Sequence, residues 1–294
     1  MVVAATGFFD GVHIGHQAVI RTLLDYAEKY SGQSLVISFW PHPRVLLQKD
    51  ARDLRLLTSI DEKIAILKGM GVNRVEILPF TRDFAAMDAA RYLAYIKEKF
   101  GVDAIVLGYD NRFGSGTEDT EQIGKIAESL GIKVLRQEAL QVEGLTVSST
   151  QCRLALERGE VELASKMLGR DYSLSGVVVS GKQLGRTIGF PTANLRLREP
   201  LKKVPATGVY LSRLRLEGQD FWGMSNVDSA ALVETHIFDF DRDIYGMDLE
   251  ISFLEQIRSE KSFASLEELK IQLKKDEMSA KKLIFARYDH KEGR

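Results

Sequence analysis

The chain has 294 residues, of which 45% are hydrophobic and 28% charged, and these values are typical of a globular protein with two ordinary domains. A net charge of −1, from 40 basic and 41 acidic side chains, excludes attraction to nucleic acid or membrane by bulk charge. The single cysteine, Cys152, excludes an internal disulfide. Because the sequence also shows no signal peptide and no apolar run of roughly 20 residues, we predict a cytoplasmic location.

Short apolar strands alternate with amphipathic helices in the first half of the chain. Strands are predicted at 2–6, 34–40, 74–80, 103–108 and 133–137, and helices after residue 14 and around 59–71, 88–100 and 120–131. Because the strands are uniformly apolar, we expect a doubly wound parallel sheet that is covered on both faces. Two short helices follow, in CRLALERGE and VELASKMLGR.

From residue 171 the segments are strand-like and separated by glycine or polar turns. They lie at 172–181, 206–218, 219–227 and 247–258. Closely spaced strands of this kind predict a small antiparallel β-barrel. A long C-terminal helix follows, with Ser265 and Glu268 predicted to form its capping box. We therefore predict domains at 1–170 and 171–294.

The tetrapeptide HIGH begins the first predicted helix, just beyond the first strand, where ligands bind in parallel sheets. A helix N-terminus favours phosphate, and Gly15 lets a phosphate approach the backbone. His13 and His16 can donate hydrogen bonds to phosphate oxygens. The alternative interpretation is an exposed polar first turn.

A second cluster of anion-binding groups occurs in VSSTQCR, residues 147–153. Ser148 and Thr150 supply hydroxyl groups at a predicted helix start, and Arg153 supplies a guanidinium one turn later. The alternative is an ordinary Ser/Thr cap. HIGH and this motif at the two ends of one α/β domain are much rarer than either motif alone.

The stretch SGKQLGRTIGFPTANL, residues 180–195, carries Gly181, Gly185 and Gly189 at every fourth position. The spacing predicts a flexible loop that can wrap phosphates. Thr192 and Asn194 are two residues apart, so on a strand they share a face. Their hydroxyl and amide oxygens suit Mg²⁺ bound with nucleotide phosphates. The alternative is a solvated strand face.

The segments GFFDGVHIGH, SFWPHPR and GYDNRFG, together with SSTQCR, resemble the N-terminal half of bacterial bifunctional riboflavin kinase/FAD synthetases. In that family this half transfers AMP from ATP to FMN. The resemblance implies ATP-phosphate contacts for His13, Gly15 and His16, and flavin contacts for Phe39 and Arg112. The remaining implied nucleotide contacts are Asp110, Ser148, Thr150 and Arg153.

The C-terminal half resembles the riboflavin kinase domain of the same family through PTAN, PATGVY, ETHIFDFDRDIYG and IRSEKSF. The resemblance implies that Glu234 is the general base and that Thr192 and Asn194 hold Mg²⁺. It also implies nucleotide contacts for Gly181, Lys182 and Gly185, and flavin contacts for Arg258 and Phe263.

The resemblance therefore predicts a two-step enzyme that converts riboflavin to FMN and FMN to FAD with ATP and Mg²⁺, and that has small-molecule partners only. Two segments are shorter than in the family, near 116–117 and within 226–233, and one hypothesis is that the sequence joins the flanks of omitted loops. Three alternatives stay open: an adenylyltransferase alone, a non-catalytic flavin-binding regulator and, as a weaker one, a tRNA-binding module.

Overall fold

The computed structural model describes residues 1–42, 54–109, 120–181 and 184–288. The chain divides into two compact units, Met1–Ser149 and Thr150–Arg294. No helix in the described ranges is long and apolar enough to cross a membrane.

The first unit contains seven strands and five helices within the described residues. Its strands are β1 (Val2–Thr6), β2 (Gln33–Trp40), β3 (Arg74–Pro79), β4 (Val102–Leu107), β5 (Lys133–Arg136), β6 (Gln141–Val142) and β7 (Leu145–Thr146). Its helices are α1 (Ile14–Lys29), α2 (Ile60–Gly69), α3 (Arg82–Ala85), α4 (Ala89–Phe100) and α5 (Thr120–Ser129). The sequence predicted all of these except the short helix α3 and the β6–β7 hairpin.

Five of these strands form a parallel sheet in the order β3-β2-β1-β4-β5. Strand β1 alternates its side chains between two cores: Val3 and Ala5 pack with α1 and α2, and Ala4 packs with α4 and α5. The predicted doubly wound sheet is confirmed. Strands β2 and β4 lie on either side of β1, so the order in which strands are added to the sheet reverses at β1. Ligands bind in such folds beside the carboxyl end of the strand at this point.

The second unit contains the remaining elements. Its helices are α6 (Ser149–Glu157, beginning at the last residue of the first unit), α7 (Val161–Leu168), α8 (Leu184–Thr187) and α9 (Leu266–Arg287). Its strands are β8 (Tyr172–Val179), β9 (Ala193–Leu197), β10 (Gly208–Leu216), β11 (Gln219–Val227), β12 (Val233–Ile237) and β13 (Asp248–Arg258).

These six strands close into an antiparallel barrel in the order β10-β11-β12-β9-β8-β13, which confirms the predicted architecture. Helix α9 packs on the barrel through Leu273, Ala280 and Leu283. Helix α7 packs against β8 and β13. The predicted domain boundary at residue 170, which would separate the two activities, stays a prediction.

The start of α9 differs in one detail from the predicted capping box. Ser265 Oγ accepts the N–H of Glu268 at 3.2 Å, as expected. The Glu268 carboxylate, however, accepts the N–H of Ala264 at 3.0 Å. The cap is therefore one-sided. A reciprocal capping box occurs instead at α2, between Ser59 and Glu62.

The connection between β11 and β12 is a closed turn. Asp228 Oδ1 accepts the N–H groups of Ala230 and Leu232 at 2.9 and 2.8 Å. In addition, the Asp228 N–H donates to the Leu232 carbonyl at 3.1 Å. A hydrogen-bonded hairpin therefore spans 226–233 of the given sequence, and the hypothesis of joined flanks stays a prediction there. Residues 116–117 lie outside the described residues.

Candidate active sites

The segment between β1 and α1 has a left-handed backbone that Asp10 holds in place. Gly11 and Val12 have φ angles of 78° and 38°, and a β-branched residue rarely adopts the second value. The buried carboxylate of Asp10 accepts the N–H groups of Leu57 and Thr58, at 2.9 and 3.1 Å from Oδ1. The loop before α1 is therefore anchored to the segment that precedes α2.

The predicted histidine pair lies at the N-terminus of α1. The rings of His13 and His16 are stacked, with centroids 3.5 Å apart and planes at 18°. His13 Nδ1 caps the helix by accepting the His16 N–H at 3.3 Å. Burial, and after it the charges of His13 and Lys63, hold the pKa of His16 well below its ordinary value. The His16 ring is therefore neutral at pH 7.

The Nδ1 atom of His16 is buried and has no hydrogen-bond partner within the described residues. Buried polar atoms almost always have a partner. A neutral imidazole has one nitrogen that donates and one that accepts. A ligand that carries a phosphate can supply the missing hydrogen-bond partner of this ring nitrogen at the helix N-terminus.

The segment that leads into α6 lies beside the start of α1. A Cβ atom at Gly15 would be 3.8 Å from the Val147 carbonyl oxygen. Ser149 Oγ donates to the Asp10 carbonyl at 2.9 Å. The structure therefore brings Ser148, which lies between these two contact residues, near the HIGH motif, as the sequence predicted.

The other predicted nucleotide residues are less informative. Thr150 and Arg153 lie in the first five residues of α6. Asp110 and Lys182 lie outside the described residues, as does Arg112, which was predicted to contact the flavin. Their predicted contacts stay predictions.

Phe39 lies in an aromatic cluster at the end of β2. Its ring centroid is 5.3 Å from that of Phe84, 6.0 Å from that of Phe80 and 6.3 Å from that of Tyr92. The side chain is partly buried against the apolar core on this face of the sheet. These contacts support a packing role for Phe39, and its flavin contact stays a prediction.

In the barrel, Glu234 lies in a row of three polar residues across neighbouring strands. On β12 it pairs with Asn226 on β11 and with Asn194 on β9. Directly opposed residues of antiparallel strands share a face, with Cβ atoms about 4.5–5.5 Å apart. The carboxylate therefore has an amide side chain on each side. Asn226 is a site residue that the sequence analysis missed.

Two cavities open on the barrel, and Thr192 lines both of them. The first has a volume of about 250 Å³, and its lining combines apolar side chains with Asn226 and four charged residues, Glu234, Arg258, Glu260 and Lys261. The second has a volume of about 320 Å³, and its charged residues are Arg186, Asp241, Arg242 and Asp243. Two cavities that both carry charged side chains therefore meet at the hydroxyl group of Thr192.

Thr192 and the polar residues near it carry the kinds of oxygen atom that Mg²⁺ prefers. Thr192 carries a hydroxyl oxygen, Asn194 an amide oxygen, and Glu234 lies opposite Asn194 across the strand pair. Magnesium usually takes few protein ligands and completes its coordination with water and substrate phosphates. No group of three or more His, Cys, Asp or Glu residues in the described part of the chain could hold a metal by itself.

The glycine-rich stretch 180–189 was predicted to be a flexible loop, and the structure corrects this for residues 184–187. Residues 184–187 form the one-turn helix α8. A Cβ atom at Gly185 would be 2.2 Å from the Phe190 carbonyl oxygen, and one at Gly181 would be 2.3 Å from Asn194 Nδ2. These glycines are needed for close approach of neighbouring groups. Their predicted nucleotide contacts stay predictions.

Arg258 and Phe263 line the smaller cavity together with Glu234. Arg258 Nε donates to both carboxylate oxygens of Asp276 on α9, at 3.1 and 2.9 Å. The Arg258 guanidinium lies 5.7 Å from the centre of the Phe263 ring. Asp276 is 2% exposed and also accepts a hydrogen bond from Gln272 at 2.7 Å. The C-terminal helix therefore holds one wall of this cavity.

A two-domain transferase that uses nucleotides is the class that this fold and these sites define. The FAD synthetase family model matches residues 1–151, and the riboflavin kinase family model matches residues 168–284. The chain belongs to the family of bifunctional riboflavin kinases/FMN adenylyltransferases.

Relatives match this chain over almost its whole length. A bifunctional riboflavin kinase/FMN adenylyltransferase of Listeria monocytogenes is 35% identical, over 95% of this chain and 91% of its own. The protein of the same name from Escherichia coli K12 is 36% identical, over 96% and 92% of the two chains. A solved structure from Streptococcus pneumoniae, described as a macrolide-efflux protein, superposes with a TM-score of 0.88 at 33% identity, over 95% and 93% of the chains.

Proposed function

We propose that this chain makes FAD in two steps: the barrel phosphorylates riboflavin to FMN, and the α/β unit adenylylates FMN. The observation that carries the proposal is the barrel site, in which Glu234 lines one cavity that adjoins a second, lined by Arg186 and Arg242, at Thr192. A carboxylate that can accept a hydroxyl proton and, in the adjoining cavity, arginine side chains that can bind phosphate are parts that a kinase needs.

In the kinase step, riboflavin occupies the smaller cavity, which Glu234 lines, and ATP occupies the larger one. Glu234 accepts the proton of the 5′-hydroxyl as that oxygen attacks the γ-phosphorus of ATP. The bond from the γ-phosphorus to the bridging oxygen breaks, and ADP leaves. Thr192 and Asn194 would hold the Mg²⁺, which supplies positive charge to the phosphates when it is bound.

The flanking amides give Glu234 a defined position. Asn226 and Asn194 lie directly opposite it on the two neighbouring strands. Alignment of a base within hydrogen-bond reach of the hydroxyl is a large part of the catalysis available to such an enzyme. Arg258, which Asp276 holds, lines the flavin side together with Phe263.

In the adenylyl-transfer step, an oxygen of the FMN phosphate attacks the α-phosphorus of ATP, and pyrophosphate leaves. The reaction needs no protein nucleophile, so the protein acts by alignment and charge stabilisation. The N-terminus of α1, His16 and Ser148 would bind the triphosphate. Thr150 and Arg153 of α6 would complete the nucleotide contacts.

The tight turn between β11 and β12 favours a second candidate, an enzyme that retains adenylyl transfer alone. Asp228 closes this turn with backbone hydrogen bonds, so the segment is too short to extend over the flavin cavity. In that case the barrel would bind flavin with little turnover.

Incubation of the protein with riboflavin, ATP and Mg²⁺, followed by separation of the flavins, tests both candidates. We expect FMN and then FAD. FAD that forms only when FMN is supplied would indicate the second candidate, and FMN without FAD would indicate a kinase alone. No product from either flavin would indicate a binding protein.

A cytoplasmic location and small-molecule partners are part of this proposal. Both are supported by the near-neutral charge and by the presence of a single cysteine, Cys152. Fractionation of cells that express the tagged protein would test the location.

A further inference from the structure

Lys63 on α2 is a buried cation with only neutral hydrogen-bond acceptors. It is 2% exposed, and lysine is rarely buried to this degree. Its Nζ donates to the Phe8 carbonyl at 2.7 Å and to Ser38 Oγ at 3.3 Å, and it lies 4.0 Å from the centre of the Phe8 ring. Within the described residues it forms no salt bridge with a carboxylate.

The two groups that Lys63 holds lie at the ligand-binding edge of the sheet. Phe8 follows the end of β1, and Ser38 lies near the end of β2. Ser38 Oγ also donates to the Phe8 carbonyl at 3.1 Å. Lys63 therefore joins two neighbouring strand ends just before the loop that leads to the HIGH motif.

We propose that Lys63 is a positioning residue of the adenylyl-transfer site. Its ammonium group fixes the Phe8 carbonyl, and with it the loop to His13, and it supplies a buried positive charge that the bound triphosphate of ATP compensates. The inference rests on the proposed function of the α/β unit.

An uncompensated buried charge is unfavourable until an anion arrives. Consistent with this, burial lowers the pKa of Lys63 from 10.5 to about 8, although the nearby charge of Asp10 opposes the change. Binding of an anionic triphosphate favours the protonated form. Lys63 is charged below pH 8 and neutral above it, so affinity for ATP should fall as the pH rises through 8.

Other titratable groups surround Lys63. They are Asp10 from the loop, His13 and His16 from the start of α1, His42 beyond β2, whose ring lies 4.0 Å from that of Phe8, and Glu62 on α2 itself. All of them remain in a variant that lacks only the Lys63 amine. A change in ATP affinity between pH 7 and 9 that such a variant loses is therefore assigned to Lys63.

The test compares Lys63→Met with Lys68→Met, which changes an exposed lysine on the same helix. FAD formation from added FMN is measured against ATP concentration between pH 7 and 9. We expect Lys63→Met to raise KM for ATP about tenfold, the size of a charge-assisted contact. It should also abolish the rise of KM above pH 8 that the wild type and Lys68→Met show.

Two further readouts separate positioning from a merely structural role. Lys63→Met should keep or raise the melting temperature, because it removes a buried charge, and should leave the riboflavin kinase reaction unchanged. Lower melting temperature with loss of both reactions, or an unchanged KM and pH profile, would overturn the proposal.

Calorimetric titration with ATP needs no turnover, so it decides on Lys63 even if the wild type makes no FAD from FMN and the proposed function fails. At pH 8, in two buffers of different protonation enthalpy, the wild type should take up more protons on binding ATP than Lys63→Met does. Equal proton uptake by the two proteins would contradict the role of Lys63.

Discussion

At the scale of single residues, the two sites use polar groups in opposite ways. His16 is a neutral imidazole with a buried ring nitrogen that has no hydrogen-bond partner within the described residues. Glu234 is surrounded by polar neighbours, with an amide opposite it on each adjoining strand. The first arrangement suits contact with a substrate anion, and the second suits a carboxylate that must be aligned with a hydroxyl group.

Replacement of His16 by alanine tests the first arrangement. We expect FAD formation to fall about 10²–10³-fold, the effect of removing one donor from developing phosphate charge. FMN should then accumulate from riboflavin, because the barrel is unchanged. Flavin separation after incubation with riboflavin and ATP measures both. Retention of FAD formation within tenfold of the wild type would exclude the proposed role.

Replacement of Glu234 by glutamine tests the second. Loss of a general base typically reduces a rate about 10²–10⁴-fold, so FMN formation should fall by that factor while FAD formation from added FMN continues. Glu250→Gln is the control, because this carboxylate is on another barrel strand and lines neither cavity. A kinase rate equal to that of the control would contradict the assignment.

At the scale of elements, α9 connects packing to the kinase site. Its apolar face covers the barrel, and its single buried carboxylate, Asp276, holds Arg258 at the end of β13. Arg258 in turn lines the cavity that contains Glu234. A change on the helix that lies outside the cavity should therefore affect flavin binding.

Asp276→Asn removes the negative charge without changing the size of the side chain. Because removal of one partner of a buried pair destabilises by about 3–5 kcal/mol, we expect a loss of stability near the lower value, with a higher KM for riboflavin. Chemical denaturation and kinase assays measure these. Glu277→Gln, next in the chain and more exposed, should change stability by less than about 1 kcal/mol. Equal stability of the two variants would contradict the prediction.

At the scale of the whole molecule, each compact unit has its own apolar core. The predicted magnesium ligands, Thr192 and Asn194, carry oxygen atoms, and Thr192 lines both barrel cavities. No cluster of metal-binding side chains supports the fold in the described part of the chain. Magnesium is therefore expected to serve the reactions, with little contribution to folding.

Removal of magnesium with EDTA should stop formation of both FMN and FAD and leave the melting temperature within about 2 °C, since no metal-dependent folding is expected. Addition of excess Mg²⁺ should restore both activities. A large fall in melting temperature with EDTA would instead indicate a structural metal.

Much of the fold could be predicted from the sequence because its signals are local. The buried run 2–6, the stripe with Ile20 and Leu23 on α1, and the cap at Ser265 each depend on residues within a few turns. The glycine-rich stretch 180–189 was predicted incorrectly because its glycines answer to contacts that are not local. What Gly185 makes room for is the Phe190 carbonyl, a contact that composition does not reveal.

The sequence by itself determined the alternation of elements, the barrel-type second half and the motifs that identify the family, since periodicity and short motifs are written along the chain. Only the tertiary structure decided that Asn226 and Asn194 flank Glu234, that Thr192 lines two cavities and that Lys63 lies buried at the strand ends. Strand register and helix docking are set by contacts between residues far apart in the chain, so no local pattern contains them.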